Sequence, residues 1–291
     1  MSPVEPGTYT VSDLLHAYER EYLPTKAPKT QYQQAKLYRW IAADLGHLLL
    51  EQLTPAKLRA WRDELSRYYA PSTVRRYLDS LSGPLTVAVR DYEWLPANPL
   101  EKVQKPKAPP ARVRFLSDEE RTTLLLWCAQ SRNPHLYLIV LLALTTGARK
   151  NELLWLAWQD VDLERGFLRL AQTKNRTRRA VPVRGKALQL LQERRGQHRP
   201  VSWVFPRFDQ QKPVDIKAAW ENAVKRAALQ DFRFHDLRHT AASYLAMSGA
   251  TLLEIAAILG HKSMQVTYRY AHLAAAHTGN VVERMTEKFL S

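Results

Sequence analysis

Residues 96–114 read PANPLEKVQKPKAPPARVR and separate two parts of the chain that differ in their sequence patterns. Proline has no backbone N–H and a restricted φ angle, so a stretch this rich in proline and basic residues favours an extended connector. A chain of 291 residues is also long for a single hydrophobic core. We therefore predict two domains, residues 1–108 and residues 109–291.

The part before the connector contains only helical patterns. Apolar residues recur there at helical spacing, and Thr54 followed by Pro55 is typical of the start of a helix. The last pattern, residues 71–95, contains Gly83-Pro84, which should kink or break a helix. The first domain is therefore predicted to be all-helical.

The part after the connector is helical with one exception. It starts with a capping-box pattern, Ser117 to Glu120. Residues 166–183, GFLRLAQTKNRTRRAVPV, change to the pattern of two strands joined by a polar turn, and WVFP at 203–206 is a candidate third strand. The predicted fold class is mainly α, with a small antiparallel β-sheet in the second domain.

The charge of the chain indicates a polyanionic partner. The net charge is +15 and the sequence pI is about 9.9. Between Arg165 and Arg199 the only acidic residue is Glu193, which favours a phosphate-facing surface. The most apolar run, residues 136–144, is too short to span a membrane, and the N-terminal residues do not resemble a secretory signal. We therefore expect a cytoplasmic protein that binds nucleic acid and no membrane.

Four stretches contain the residue types that phosphoryl transfer requires without a metal ion. Arginine forks bind phosphate oxygens, lysine or histidine donates a proton to a leaving oxygen, and tyrosine acts as a nucleophile once a base removes its proton. The stretches are TTGARKNEL (145–153), AQTKNRTRR (171–179), FHDLRHTAASYLAMSG (234–249) and LGHKSMQVTYRYAHL (259–273).

Each of these residues also has an ordinary structural interpretation. Arg149 and Glu152 have the spacing of a helix ion pair. His235 and His239 have the spacing of a zinc-binding helix, but Arg238 between them would repel a cation, so no metal site is predicted. Helical periodicity separates the two tyrosines of the last stretch by roughly 200° but does not show which one faces inward.

In their order and separation, the four stretches closely resemble the tyrosine recombinases, phage integrases in particular, over about residues 10–275. The resemblance implies a site-specific DNA recombinase that cleaves and rejoins strands through a 3′-phosphotyrosine and a Holliday junction, with no cofactor. It also implies a helical core-binding domain and a catalytic domain that together form a clamp on duplex DNA. The expected assembly is a homotetramer on inverted core sites of bacterial or phage DNA, without a separate arm-binding domain.

The resemblance also assigns roles to individual residues. The implied catalytic set is Arg149, Lys174, His235, Arg238, His261 and Tyr270, supported by Glu152 and His239. Within it, Lys174 is the general acid toward the leaving 5′-oxygen and His235 assists proton transfer at the nucleophile. The nucleophile is Tyr270, nine residues after His261, rather than Tyr268. Further basic residues are expected at DNA: Lys102, Lys105, Lys107, Arg176, Arg178 and Arg179.

Two other functions share many of these features. One is a catalytically silent protein that marks a DNA site, and the complete residue set argues against it. The other is a type IB topoisomerase-like enzyme, against which the core-binding domain and the C-terminal tail argue. The tail, residues 277–291, carries an apolar stripe that could pack on its own domain. The resemblance implies instead that it docks on a neighbouring protomer. The sequence does not identify the target site, or whether a directionality or DNA-bending factor takes part.

Overall fold

The computed structural model describes residues 8–107, 114–171, 178–197, 202–209, 212–274 and 278–290. The chain forms two compact units, Met1–Ala111 and Arg112–Ser291. Each described unit has its own hydrophobic core. Within the described ranges, no helix has the length and apolarity needed to cross a bilayer.

The first unit consists of four helices joined by short turns: α1 (Val11–Glu21), α2 (Pro28–Leu45), α3 (Pro55–Tyr68) and α4 (Pro71–Arg90). As predicted, Thr54 caps α3, and its hydroxyl accepts a hydrogen bond from the Lys57 backbone N–H at 3.2 Å. The inward faces bring fully buried apolar side chains together, among them Leu14, Ile41 and Leu78. This burial holds the helices together because isolated helices of this length are marginal in water.

Helix α4 corrects one expectation, because it runs without a break past Gly83-Pro84. Pro84 is buried in the core of the unit, so packing of its ring offsets the hydrogen bond that proline cannot donate. Burial of Pro84 therefore allows a helix that the sequence pattern disfavours.

The second unit is built around a buried helix. Its helices are α5 (Asp118–Ala129), α6 (Leu136–Thr146), α7 (Lys150–Leu154), α8 (Gly185–Gln197), α9 (Lys217–Arg226), α10 (Asp236–Met247), α11 (Leu252–Leu259), α12 (Met264–Thr267), α13 (Ala271–Ala274) and α14 (Thr278–Phe289). Helix α5 begins with the predicted capping box of Ser117 and Glu120. Helix α6 is apolar on nearly every face and packs against α5, α8 and α10.

The sheet of the second unit has the predicted hairpin at its centre. Strands β1 (Val161–Asp162), β2 (Phe167–Ala171) and β3 (Arg178–Pro182) pair antiparallel in the order β1-β2-β3. The prediction of a third strand at residues 203–206 was wrong, since that segment forms only isolated bridges, such as Ala157 with Trp203. The predicted class, mainly α with a small antiparallel sheet, is confirmed.

Candidate active site

Arg149 lies immediately before α7 and faces Glu152 one turn later. The Arg149 backbone N–H donates to Glu152 Oε2 at 2.8 Å, and its Nη1 donates to Oε1 at 2.9 Å. The Glu152 side chain is 2% exposed, whereas the Arg149 side chain is 43% exposed. The ion pair therefore orients Arg149 and leaves part of its guanidinium open to a ligand.

Glu152 receives a second arginine from the sheet. Arg179 on β3 donates from Nη1 and Nη2 to the two carboxylate oxygens at 3.0 and 2.9 Å, and from Nε to the Ile258 carbonyl at 3.2 Å. Burial by itself raises the pKa of Glu152, but the hydrogen bonds from Arg179 and Arg149 outweigh it and leave the pKa below its ordinary value. Arg179 was expected at DNA, and the structure instead turns its guanidinium inward, where Glu152 binds it.

Arg238 is buried on the first turn of α10. Its Nη1 donates to the Gly147 carbonyl at 2.8 Å and its Nη2 to the Leu259 carbonyl at 2.7 Å. Burial, and then the nearby Arg149 and Arg179, lower the pKa of Arg238 to about 10, so it remains cationic at neutral pH. Gly147 has φ +61°, and a Cβ there would lie 2.7 Å from the Leu259 side chain, so the position requires glycine.

His261 follows the end of α11. Gly260 ends that helix in the left-handed conformation, and the His261 ring then turns back so that its Nδ1 lies 2.8 Å from the Thr267 hydroxyl. Burial, and then Arg238 and Arg149, lower the pKa of His261 to about 4. His261 is therefore a neutral imidazole close to both arginines.

The two tyrosines face opposite environments. Ser263 caps α12, and a 3₁₀ turn, Tyr268–Tyr270, interrupts the α-helical path between α12 and α13. Tyr270 is 1% exposed and packs among apolar residues of α10 and α11, whereas Tyr268 is 63% exposed. Burial raises the pKa of Tyr270, and the nearby Arg269 and Arg238 act in the opposite direction. Tyr270 is thus the tyrosine directed toward the cluster around Arg238.

The histidine in contact with Tyr270 is His239. Its Nδ1 lies 2.5 Å from the Tyr270 hydroxyl oxygen. His235, which the resemblance places at the nucleophile, lies one turn earlier on the more exposed end of the helix. The two imidazole rings are nearly perpendicular, with centroids 5.3 Å apart. The structure therefore places His239, which the resemblance assigns a supporting role, in contact with the Tyr270 hydroxyl.

Comparison with known proteins agrees with this arrangement. Residues 114–277 match the model of the phage integrase family. The chain belongs to the phage integrase family. It is thereby a tyrosine recombinase family enzyme, of the site-specific recombinase and integrase type.

Two curated relatives illustrate the similarity. The shufflon-specific DNA recombinase of Escherichia coli is 33% identical over 88% of this chain and 68% of its own length. The integrase of Salmonella phage P22 is 32% identical over 72% of this chain. This second match spans 56% of the P22 integrase, little more than half of that relative's own length.

Solved structures share the fold across both units. A lambda integrase dimer bound to a COC' core site has a TM-score of 0.74 and 20% identity, covering 88% of this chain and 97% of that one. A lambda integrase tetramer bound to a Holliday junction has a TM-score of 0.72 and 20% identity, covering 88% and 78%. At this identity the likeness establishes the fold of this family member rather than its residue roles.

Of the other basic residues predicted to take part in catalysis or in DNA binding, the structure describes Lys102, Lys105, Lys107 and Arg178. Lys174 and Arg176 fall outside the described residues, and Arg178 is the first residue of β3. In the first unit, Lys102 and Lys107 are exposed, and the Lys105 ammonium is 2.5 Å from Asp79. Within the first unit, two of the three predicted lysines are thus open to solvent and the third is engaged by a carboxylate.

Sequence reasoning missed two residues of the integrase site. Arg269 lies between the two tyrosines; burial is the main cause of the lowered pKa values of His235, His239 and His261, and the charge of Arg269 adds to it at each histidine. Thr267 is fully buried and holds the His261 ring. Neither has a distinctive spacing, so only the folded chain places them in the cluster.

Proposed function

We propose that this chain cleaves and rejoins DNA through a 3′-phosphotyrosine on Tyr270. The observation that carries the proposal is the inward position of Tyr270, whose hydroxyl contacts His239 beside the cationic Arg238, while Tyr268 points to solvent. A nucleophile must lie beside the groups that bind the reacting phosphate. Of the two tyrosines, only Tyr270 has such neighbours.

Arg149, Arg238 and His261 bind the scissile phosphate in this proposal. Two guanidinium groups supply planar, charged donors to non-bridging oxygens, and they also stabilise the additional charge of a pentacovalent transition state. The buried carboxylate of Glu152 orients Arg149, and the Gly147 and Leu259 carbonyls hold Arg238. The phosphate site is therefore organised before DNA arrives, which lowers the cost of reorganisation.

The reaction is a transesterification. The Tyr270 oxygen forms a bond to phosphorus, the bond from phosphorus to the 5′-oxygen breaks, and the leaving oxygen takes a proton from Lys174. The phosphodiester energy is kept in the phosphotyrosine, so no nucleotide cofactor is required. A 5′-hydroxyl from a partner strand reverses the step, and two rounds of exchange pass through a Holliday junction.

The proposed substrate is duplex DNA with inverted core sites, bound by four copies of the chain. The net charge of +15 supports a DNA partner, and the exposed Lys102 and Lys107 supply basic side chains in the first unit. The lambda integrase structures, a core-site dimer and a Holliday-junction tetramer, support an assembly of the same kind.

The proposal is tested by trapping the covalent intermediate. A nicked suicide substrate that contains the core site releases a short fragment after cleavage, so the adduct accumulates. Tyr270→Phe lacks the attacking oxygen, and we expect it to bind the core site while forming no adduct. Tyr268→Phe is the matched control, because its side chain faces solvent, and we expect adduct formation within a few-fold of wild type.

The outcomes separate the competing functions. An adduct that persists in Tyr270→Phe and is lost in Tyr268→Phe would reverse the assignment of the nucleophile. A wild-type chain that binds specifically and never forms an adduct would identify a silent DNA-binding protein. Relaxation of supercoils without exchange between two sites would identify a topoisomerase-like enzyme.

A further inference from the structure

His239 and His235 occupy different positions relative to the nucleophile. His235 lies at the start of α10 and is exposed, whereas His239, one turn later, is partly buried. The His239 Nδ1 is 2.5 Å from the Tyr270 hydroxyl oxygen, a distance within hydrogen-bond range for an imidazole and a phenol. Direct contact with the reacting oxygen makes His239 a candidate for a chemical role.

We propose that His239 accepts the phenolic proton of Tyr270 during cleavage and returns it during rejoining. This inference rests on the proposed function, in which Tyr270 is the nucleophile. It gives the chain two histidines with separate tasks: His239 serves the nucleophile, and His235 is left to act at the phosphate. A general base must be within hydrogen-bond distance of the proton that it removes, and His239 meets this requirement.

The protonation states of the pair are suited to this transfer. Burial, and then the neighbouring His235, lower the pKa of His239 to about 4, so its ring is neutral at neutral pH. Burial raises the pKa of Tyr270, so the phenol retains its proton. In this state the phenol O–H donates and the imidazole Nδ1 accepts, which requires the tautomer with hydrogen on Nε2.

The transfer conserves atoms and charge. The O–H bond of Tyr270 breaks as its oxygen bonds to phosphorus, and the proton moves to Nδ1, so that His239 becomes an imidazolium. The guanidinium groups of Arg269 and Arg238 oppose this charge, and the side chain of Asp236 favours it. The scissile phosphate adds negative charge to the same cluster, so bound DNA raises the proton affinity of His239 when the proton must move.

The first test replaces His239 by asparagine. An Asn side chain places an amide atom near the position of Nδ1, so it can hold a hydrogen bond to Tyr270 but cannot take the proton. We expect His239→Asn to bind the core site with unchanged affinity and to form the covalent adduct about 100-fold more slowly or worse. His235→Asn is the comparison variant on the same helix: the proposal leaves His235 at the phosphate, so we expect this variant to slow adduct formation without removing the base that serves Tyr270.

A second measurement distinguishes a base from a residue that only positions Tyr270. Trifluorotyrosine installed at position 270 has a more acidic phenol and needs less help to lose its proton. We expect it to restore the adduct rate of His239→Asn by about tenfold or more, since general-base catalysis follows the acidity of the donor. It should not restore the rate of His235→Asn.

Three results would overturn the assignment. The first is adduct formation by His239→Asn at the wild-type rate. The second is slow adduct formation by His239→Asn that trifluorotyrosine does not accelerate. The third is an acceleration by trifluorotyrosine that occurs only in His235→Asn. A melting curve checks the fold of each variant, and His239→Gln replaces His239→Asn in all measurements if the latter does not fold. Tyr270→Phe is measured in parallel. A covalent adduct in that variant refutes the proposed function itself. If no adduct forms, the proposed function stands and the His239 variants test only the identity of the base.

Discussion

Lys174, which lies outside the described residues, is the proposed general acid, and substitution tests this proposal. If it donates the proton to the leaving 5′-oxygen, Lys174→Ala should slow adduct formation by about 100-fold or more and leave core-site affinity nearly unchanged. A substrate with sulfur in place of that bridging oxygen should restore the rate, because a thiolate leaves without a proton. Single-turnover cleavage of the two substrates measures the effect.

A variant in the same stretch provides the control for Lys174. Arg176→Ala removes a charge that is expected to contact DNA, so it should reduce affinity more than rate, with equal effects on the oxygen and sulfur substrates. If the sulfur substrate failed to restore Lys174→Ala, the general acid would be another group, with His235 the next candidate.

At the level of single residues, the strand pattern could have corrected the prediction for Arg179. Side chains alternate between the two faces of a strand, so Arg179 shares a face with Val181, which is fully buried. The prediction for Arg179 used the basic composition of residues 165–199, which indicates DNA contacts, and did not use this alternation. Arg179 is inward because Glu152 is available there to bind it.

The histidine beside Tyr270 could not be predicted in the same way. His235 and His239 lie on one face of α10, so helical spacing gives both of them access to the same region. Which ring reaches the phenol depends on how the segment after α11 returns to α10. That path depends on Gly260 and the 3₁₀ turn together, and no local pattern specifies it.

Among elements, the pair of Arg179 and Glu152 connects the sheet to α7 and, through the Ile258 carbonyl, to α11. Removing one partner of a buried ion pair leaves the other charge uncompensated. We expect Arg179→Met to lower the stability of the second unit by about 3 kcal/mol. Thermal unfolding followed by circular dichroism measures this, and adduct formation should slow because Glu152, which orients Arg149, loses one of its two arginine partners.

Arg233→Met is the control for this element-level prediction, because the Arg233 side chain is 79% exposed beside Asp231 and should contribute at most about 1 kcal/mol.

The pKa of Glu152 is depressed in the folded chain, so its stabilisation is present at neutral pH and is lost as the pH falls through that pKa. The difference between wild type and Arg179→Met should therefore narrow in acid. Equal melting temperatures of wild type and Arg179→Met at pH 7 would show that the pair of Arg179 and Glu152 does not stabilise the second unit.

The helices themselves were largely predictable from their ends. The caps at Thr54, Ser117 and Ser263 lie where local sequence patterns place them. By contrast, the continuous helix α4 depends on the burial of Pro84, and strand β1, which completes the three-stranded sheet, depends on the pairing of Val161 with Leu168. Such tertiary effects outweigh local preference and are not visible in a short window of sequence.

For the whole molecule, the tail makes the clearest prediction. Helix α14 exposes Val282, Met285 and Phe289, apolar side chains that a stable monomer tends to bury. We expect this stripe to dock on a neighbouring protomer, as the resemblance implies. Deleting residues 278–291 should preserve binding of one protomer to one site and abolish cooperative binding to a two-site duplex, measured by gel shift.

A milder variant separates the apolar stripe from the tail as a whole. The combined substitution Val282→Ser, Met285→Ser and Phe289→Ser should reproduce the loss of cooperativity, whereas Lys288→Ser on the same helix should not. Unchanged cooperativity after deletion of the tail would show that the protomers associate through another surface.

The burial of Tyr270 also affects how safely a strand can be cut. Its ring packs among apolar side chains of α10 and α11, and only 1% of the residue is exposed, so bulk water has little access to it. If Tyr270 forms the proposed phosphotyrosine, this packing should shield the bond from hydrolysis. Hydrolysis would release the enzyme and leave a permanent break, so we expect the apolar packing around one phenol to protect the continuity of the DNA while a strand is open.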